Sequence, residues 1–142
     1  MAEIMKDITQ IARCGAQFRS EQLEELGLKG CHASYLLEIC ADPGLSQDTL
    51  AQRICINKSN VARQMTVLEE GGFVTRQVCA ADKRMMALYP TQKTLDLLPR
   101  IRAILKTWSD SITCDLSAQE QLLVAQSLKK MMQRAAAWMD EK

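Results

Sequence analysis

A short polar stretch in the middle of the chain carries side chains that can bind nucleic acid. Arginine can hold guanine through two hydrogen bonds, asparagine and glutamine can hold adenine in the same way, and serine can serve a base or a phosphate. Lysine at a helix start favours phosphate, because free backbone N–H groups there attract anions. These residue types lie close together, at Lys58, Ser59, Asn60, Arg63 and Gln64. A solvated helix face would also be polar, so the elements that carry these residues must decide between the two interpretations.

A second pair of basic residues, Lys83 and Arg84, lies near the junction of two runs rich in β-branched, aromatic and apolar residues. The runs, 73–78 and 84–89, predict a β-hairpin with the polar segment 79–83 between its strands. A compact positive tip suits the narrow minor groove of DNA, where the negative potential is enhanced. Taken alone, two basic residues in a turn indicate only exposure to solvent.

The polar stretch around Arg63 fits a helix with two different faces. Val61, Met65 and Leu68 recur at helical spacing and predict the packed face, which leaves the polar side chains on the exposed face. Asn57 can cap the start of this helix, and the glycines at 71–72 can end it. A helix that enters the major groove needs this division between packed and presented residues.

Helical patterns surround this unit on both sides. They predict a first helix to about Leu26, a second defined by Ala33, Leu36, Leu37, Ile39 and Cys40, and a short third capped by Ser46. They also predict a long fifth helix capped by Thr91 and kinked at Pro99, and a sixth that runs from the capping box of Ser117 and Glu120 to about Met139. The order predicts a mainly α fold with a small β-hairpin wing. The winged helix-turn-helix would occupy 33–90 of a single chain unit, 1–142.

The composition excludes several classes of protein. A chain of 142 residues suits one domain, which can bury a core without metals or disulfides. With 47% hydrophobic residues and a net charge of +1, it is neither an acidic disordered chain nor a uniformly basic nucleic-acid tail. No apolar run is long enough to cross a bilayer, and residues 1–10 lack the apolar core of an export signal. We therefore expect a cytoplasmic protein with no membrane partner.

The charge is placed unevenly along the chain. Residues 1–44 hold four basic and seven acidic residues, whereas residues 45–90 hold six basic and four acidic ones. A modest positive field over the central segment is what a phosphate-binding surface needs, although a solvated surface can give similar numbers.

Catalytic, metal and cofactor sites are not indicated. The sequence has no nucleophile elbow, phosphate loop, HExxH pattern or paired-carboxylate site, so we expect no enzyme and no cofactor. The six cysteines are widely spaced without a C-x-x-C pair, and His32 is the sole histidine, which disfavours a zinc site. We expect reduced thiols that act as small hydrophobic residues, with one redox-active cysteine as the alternative.

Three segments of the sequence resemble a known family. LSQDTLAQRICINKSNVAR at 45–63, LEEGGFVTR at 68–76 and DKR at 82–84 resemble the winged helix-turn-helix of MarR-type transcriptional regulators. The D-x-R pattern of the wing is the more specific part, since many regulators share the helix-turn-helix alone. The flanking helices match as well, so the resemblance covers essentially the whole chain.

The resemblance implies a homodimer that binds double-stranded DNA. Its dimerisation helices would be the first, fifth and sixth, within 1–26 and 91–142. The fourth helix would read the major groove through Ser59, Asn60, Arg63 and Gln64, and the wing would reach the minor groove through Arg84. Asp82 would orient the wing by pairing with Arg76 or Arg84. The implied activity is sequence-specific transcriptional regulation, as a repressor, on a pseudo-palindromic operator.

The sixth helix favours a homodimer on its own account. It is apolar around most of its circumference, so it needs burial on several sides, and pairing across a two-fold axis would supply this. The alternative is that the helix packs only within its own chain.

Three positions depart from the family pattern. Cys55 lies in the tight turn where glycine is common, and a left-handed backbone there would cost about 1 kcal/mol. Thr94 stands where many members have glycine after the wing, and Pro90 replaces a common apolar residue. None of the three lies on the predicted reading face.

Two kinds of signal could regulate DNA binding: a small molecule or cysteine oxidation. Family members often release DNA when a small aromatic or anionic molecule binds near the dimer helices, and the family layout places Arg13, His32, Tyr35 and Trp108 in that region. His32 as a surface or capping residue and Trp108 as a core residue are the alternatives. Oxidation of Cys14 or Cys79 could instead shift the DNA-binding helices and wings of the dimer. A winged-helix module that binds only protein is a further alternative.

Overall fold

The computed structural model describes residues 2–142, and over that range it is mainly helical with one two-stranded hairpin. The elements are α1 Ala2–Leu23, a short 3-10 helix Glu24–Leu26, α2 His32–Ala41, α3 Gln47–Ile54, α4 Lys58–Glu70, β1 Val74–Val78, β2 Met86–Pro90, α5 Gln92–Thr113 and α6 Ala118–Asp140. The predicted fold class is confirmed. The described chain to Leu105 forms one compact unit, and residues 106–142 form a second.

The helix-turn-helix is fixed by two N-terminal caps and one left-handed residue. Ser46 Oγ accepts the Thr49 backbone N–H at 3.0 Å, and Asn57 Oδ1 accepts the Asn60 backbone N–H at 2.8 Å, so both predicted caps are confirmed. Between α3 and α4, Cys55 has φ 56° and ψ 42°, which is the left-handed conformation anticipated for this turn. The turn therefore imposes on a cysteine a backbone that favours glycine.

One apolar core joins the helices of the first unit to the wing. The face of α4 that the sequence predicts to be packed is buried, with Val61 and Met65 fully inaccessible and Leu68 1% exposed. The other large buried side chains are Leu23, Tyr35, Leu36, Ile39, Leu50, Val74, Leu88 and Ile101. This burial fixes the rotation of α4 about its axis.

The wing is a short antiparallel hairpin with one strand attached to the helices. Its register pairs Val74 with Pro90 and Val78 with Met86. The Leu88 backbone N–H donates to Leu45 O at 2.9 Å, which ties β2 to the segment before α3. The second strand begins two residues later than predicted, because Arg84 belongs to the turn at the tip.

The start of α5 holds the junction between α4 and the wing. Thr91 Oγ1 donates to Gly72 O at 2.6 Å and caps the Thr94 backbone N–H, as predicted for the fifth helix. Thr94, a departure from the family pattern, is fully buried and donates its hydroxyl to Phe73 O at 2.6 Å. The helix continues through Pro99 to Thr113.

The two ends of the described chain expose apolar side chains. The capping box of Ser117 and Glu120 opens α6 as predicted, yet no residue of α6 is buried. Its exposed large apolar residues are Leu122, Leu123, Val124, Leu128, Met131, Met132, Trp138 and Met139. In α1, which ends three residues before the predicted Leu26, Ile4, Met5 and Ile11 are exposed. No helix in the described part of the chain is long and apolar enough to span a membrane.

We expect Cys55→Gly to raise the free energy of unfolding by about 1 kcal/mol, because glycine adopts the left-handed conformation without the steric cost that a Cβ brings. Chemical denaturation at a fixed protein concentration would measure the change. Cys55→Ala is the matched control, since it removes the thiol and keeps the Cβ. Equal stability of the glycine and alanine variants would show that this backbone is not strained.

Candidate nucleic-acid interface

The exposed face of α4 presents the predicted polar residues at its start and middle. Lys58, Ser59 and Arg63 are exposed and Asn60 is half-buried. Ser59 Oγ donates to Asn57 Oδ1 at 3.0 Å, and Lys58 Nζ lies 3.2 Å from Asp48 Oδ2. Arg63 has no partner among the described residues, so its guanidinium is free to bind a base edge or a phosphate.

Gln64, which helical spacing predicts on the exposed face, is instead bonded to α2. It is half-buried, and its Oε1 lies 2.9 Å from His32 Nε2 at the start of α2. The cause is a buried neighbour distant in the sequence, which helical spacing alone does not reveal. Gln64 therefore links α4 to α2.

The protonation of His32 follows from its two hydrogen bonds. The Lys29 backbone N–H donates to Nδ1 at 2.9 Å, so Nδ1 carries no proton and Nε2 must donate to Gln64 Oε1. Burial lowers the pKa of His32 below its usual value, and the positive charge of Lys29 adds to the effect, while the bond to Gln64 opposes it. His32 is 1% exposed and acts as a neutral core residue.

At the tip of the wing, Asp82 pairs with Arg84. Asp82 Oδ1 accepts the Arg84 backbone N–H at 3.0 Å and its Nε–H at 3.1 Å, while Oδ2 accepts Nη2–H at 3.2 Å. These bonds from Arg84 hold the pKa of Asp82 below its usual range. The Arg84 side chain is nevertheless 89% exposed. The carboxylate thus directs a solvent-exposed guanidinium, with the exposed Lys83 beside it.

The structure decides between the two arginines considered for Asp82. Arg76 points elsewhere: its Nη2–H groups donate to Thr66 Oγ1 at 3.0 Å and to Glu69 Oε1 at 3.1 Å, both in α4. Arg76 as the partner of Asp82 is therefore wrong. Its hydrogen bonds instead attach β1 to α4.

The four residues predicted for an effector pocket differ in burial. His32 and Tyr35 are buried in the core, and burial raises the pKa of Tyr35. Arg13 is exposed on α1, and Trp108 is half-buried in the second unit. The helical pattern indicated Ala33, Leu36 and Ile39, which are buried in α2, but it missed that positions 32 and 35 are buried with them. Their burial turns both side chains into the core.

A cleft of about 310 Å³ lies instead beside the opposite side of α2. Its lining residues are Arg19, Gly30, Cys31, Ala33, Ser34, Leu37 and Leu105. It combines a guanidinium, a thiol and a hydroxyl with apolar walls. The recurrence of positions 30, 34 and 37 at helical spacing, beside the buried Ala33, is the signal that could have indicated it.

The cysteines considered for redox sensing are far apart in the sequence and differ in exposure. Cys14 is exposed on α1, and Cys79 is half-buried where β1 leads into the tip. Burial raises the pKa of Cys40, which makes it a poorer thiolate. Among the described residues, no group of cysteine, histidine or carboxylate side chains could hold a metal ion.

Comparison with known proteins places this geometry in a family. Residues 26–85 match the model of the MarR family. An uncharacterised HTH-type transcriptional regulator of Bacillus subtilis, YybA, is 29% identical over 102 residues, which cover 72% of this chain and 68% of the relative. The crystal structure of the transcriptional regulator SlyA superposes with a TM-score of 0.92 at 28% identity, covering 96% of each chain. The chain is therefore similar to the MarR family over residues 26–85, and it has the fold of SlyA over nearly its whole length.

The family match covers the helix-turn-helix and part of the wing, whereas the likeness in fold extends to the terminal helices. The family match runs from the 3-10 helix to the tip of the wing, and the superposition on SlyA extends over nearly the whole chain. A MarR family regulator from Listeria monocytogenes, complexed with 26mer DNA, has the same fold, with a TM-score of 0.90 at 24% identity over 95% of this chain and 90% of that one. YybA and SlyA, the two relatives compared over most of the chain, are both described as transcriptional regulators.

We expect acid to destabilise the protein through His32. Because the folded state lowers the pKa of His32 below 6.5, the unfolded chain binds this proton more readily, and stability falls as the pH decreases through and below 6.5. His32→Gln is the control, since an amide can accept from Lys29 and donate to Gln64 without titrating. Unfolding free energies at about pH 7.5 and about pH 5.5 should differ more in the wild type than in the variant. Equal differences would exclude His32 as the titrating group.

Proposed function

We propose that the protein is a sequence-specific DNA-binding repressor that acts as a homodimer on a pseudo-palindromic operator. The observation that carries the proposal is that two exposed guanidinium groups, one on α4 and one on the wing, extend from the same compact unit. Arg63 extends from the free face of α4, and Arg84 extends from the wing tip under the direction of Asp82. Each suits a different groove of B-form DNA.

In the proposed complex α4 lies in the major groove. Its buried face fixes its orientation, and its N-terminus presents free backbone N–H groups to phosphate. Lys58 adds its charge there once it leaves its ion pair with Asp48. Arg63 can then hold a guanine edge with two hydrogen bonds, while Ser59 and Asn60 lie one turn nearer the helix start. Gln64, being bonded to His32, is removed from the set of base-reading residues.

The wing would insert Arg84 into the minor groove. An arginine that enters a narrow groove must lose much of its freedom, and the hydrogen bonds from Arg84 to Asp82 restrict it before binding. The pair sits on an exposed turn, so the guanidinium can contact DNA while its inner edge stays bonded to the carboxylate. The Listeria regulator complexed with DNA, which shares the fold, supports duplex DNA as the partner.

Exposed apolar residues support the homodimer. Leu122, Leu128 and Trp138 of α6 are 58%, 45% and 56% exposed, and Ile4 and Met5 of α1 are exposed too. Apolar surface of this extent marks an interface, and a second copy covers the same residues on both chains by symmetry. A two-fold pair would hold its recognition helices roughly 34 Å apart, one turn of duplex, which requires a pseudo-palindromic site.

The cleft beside α2 supports release by a small effector. Arg19 supplies a positive charge, and Ala33, Leu37 and Leu105 supply apolar walls, which suits a small anionic molecule with an aromatic or aliphatic body. To release DNA, such a molecule must bind more tightly to a conformation whose recognition helices do not fit the operator.

DNA binding should be strongly salt-dependent and should depend on Arg63 and Arg84 in different ways. Arg63→Ala should cost about 1–3 kcal/mol, mostly at one base pair, and Arg84→Ala should weaken binding most at A·T-rich flanks. Selection from a random duplex pool, followed by fluorescence anisotropy at two salt concentrations, would measure both. Arg53→Ala removes the same charge from a guanidinium bonded to Asp42 and is the control. Absence of duplex binding in dilute salt would favour a protein-binding module instead.

The purified protein should sediment as a dimer at micromolar concentration. Leu128→Glu should shift it toward monomer, because a buried leucine contributes about 1.5–3 kcal/mol and the symmetric interface contains it twice. Lys129→Glu, at the adjacent exposed position, should leave the dimer intact. A wild-type protein that sediments as a monomer under these conditions would contradict the proposed assembly.

A further inference from the structure

Arg76 connects three elements of the winged helix-turn-helix. It lies in the middle of β1, and its side chain is only 19% exposed. Nη1–H donates to Gln47 Oε1 at 3.3 Å, at the first residue of α3. Nη2–H groups donate to Thr66 Oγ1 at 3.0 Å and to Glu69 Oε1 at 3.1 Å, on α4. One guanidinium therefore joins α3, α4 and the first strand of the wing.

Glu69 holds Arg76 by the main chain as well as the side chain. Its Oε2 accepts the Arg76 backbone N–H at 3.2 Å, while its Oε1 accepts from the guanidinium. The bonded N–H lies on the outer edge of β1, the edge not paired with β2. One carboxylate thus fixes both the strand and the side chain relative to the recognition helix.

The two strands of the wing are attached in different ways. β2 is held by main-chain hydrogen bonds to the segment before α3, at Leu88 and Leu45. β1 is an edge strand, and Arg76 gives it side-chain bonds to α4. Beyond Arg76 the hairpin leads through Gln77 and Val78 to the tip that carries Arg84. The direction of the tip relative to α4 therefore depends on this attachment.

We propose that Arg76 is a positioning residue that sets the geometry between the recognition helix and the wing tip. Through Glu69 and Thr66 it fixes the offset at which Arg63 and Arg84 meet their two grooves. The inference rests on the proposed function, because it concerns how two DNA contacts are made at once. Without Arg76, the wing would have to become ordered as DNA binds. The free-energy cost of that ordering would cancel the binding free energy that Arg84 contributes.

The geometry separates positioning from direct contact with phosphate. The charge of Arg76 is balanced by Glu69, and its N–H groups are directed inward to side chains of α3 and α4. An ion pair that retains partial exposure contributes little to stability. Replacement of Arg76 should therefore disturb the wing without unfolding the protein.

A double-mutant cycle on the full-length protein tests the inference. The probe is the duplex selected from a random pool, and the readout is its dissociation constant by fluorescence anisotropy. Arg76→Met should weaken binding about tenfold. In that background the further loss on Arg84→Ala should nearly vanish, whereas the loss on Arg63→Ala should persist. An undiminished effect of Arg84→Ala would overturn the positioning role.

Glu69→Gln provides a second test in which Arg76 remains. If Arg76 positions the wing, weakening its attachment should reduce affinity at least about threefold and reduce the effect of Arg84→Ala. If Arg76 instead binds phosphate, removing the neighbouring carboxylate should strengthen binding, which would overturn the inference. Glu70→Gln makes the same charge change at an exposed neighbour and should not weaken binding.

The outcomes distinguish this inference from the proposed function. A wild-type protein that binds no duplex contradicts both. A wild-type protein that binds the selected duplex, with additive losses for Arg76→Met and Arg84→Ala, contradicts only the positioning role. Denaturation curves of each variant, measured at the assay concentration, check that only folded proteins are compared. If Arg76→Met does not fold, Glu69→Gln still tests the inference.

Discussion

Burial of one face of α4 is the constraint on which the rest of the reading unit depends. Val61, Met65 and Leu68 are withdrawn from solvent into the core shared by α2, α3 and the wing. Because successive residues of a helix are about 100° apart, this burial determines which residues face outward. It leaves Arg63 free and turns Gln64 toward His32. The packing of this one apolar face therefore determines which side chains of α4 are available to DNA.

The junction after α4 converts that orientation into a position for the wing. Side chains at the start of α5 donate hydrogen bonds to three successive backbone carbonyls after α4. Lys93 Nζ donates to Gly71 O, Thr91 Oγ1 to Gly72 O, and Thr94 Oγ1 to Phe73 O. Of these carbonyls, that of the buried Phe73 is the one that needs a protein partner, because water does not reach it. Lys93 also places its ammonium 4.2 Å from the centre of the Phe73 ring. The chain leaves α4 in one direction, which aims the hairpin.

The sequence was sufficient to predict features that depend on local chemistry. The caps at Ser46 and Asn57 and the packed face of α4 follow from residues a few positions apart, and the structure has them all. Features that depend on distant partners were not accessible. The bond between His32 and Gln64 joins residues 32 positions apart, and no periodicity encodes it. The cleft as a whole could not be predicted from the sequence either, because its lining residues come from α1, α2 and α5, which are distant along the chain.

Charge pairing, rather than charge count, determines what the central segment offers to DNA. It contains six basic residues, but Arg53 is bonded to Asp42 and Arg76 to Glu69, so their guanidinium groups hold the unit together. Arg84 is also paired, yet its carboxylate is its near neighbour in the same turn and leaves the side chain exposed. The distinction is geometric: a pair that bridges elements fixes the scaffold, while a pair within one turn aims a charge outward. A small net charge is therefore compatible with two well-placed cations, and the scaffold pairs keep those cations at a fixed separation.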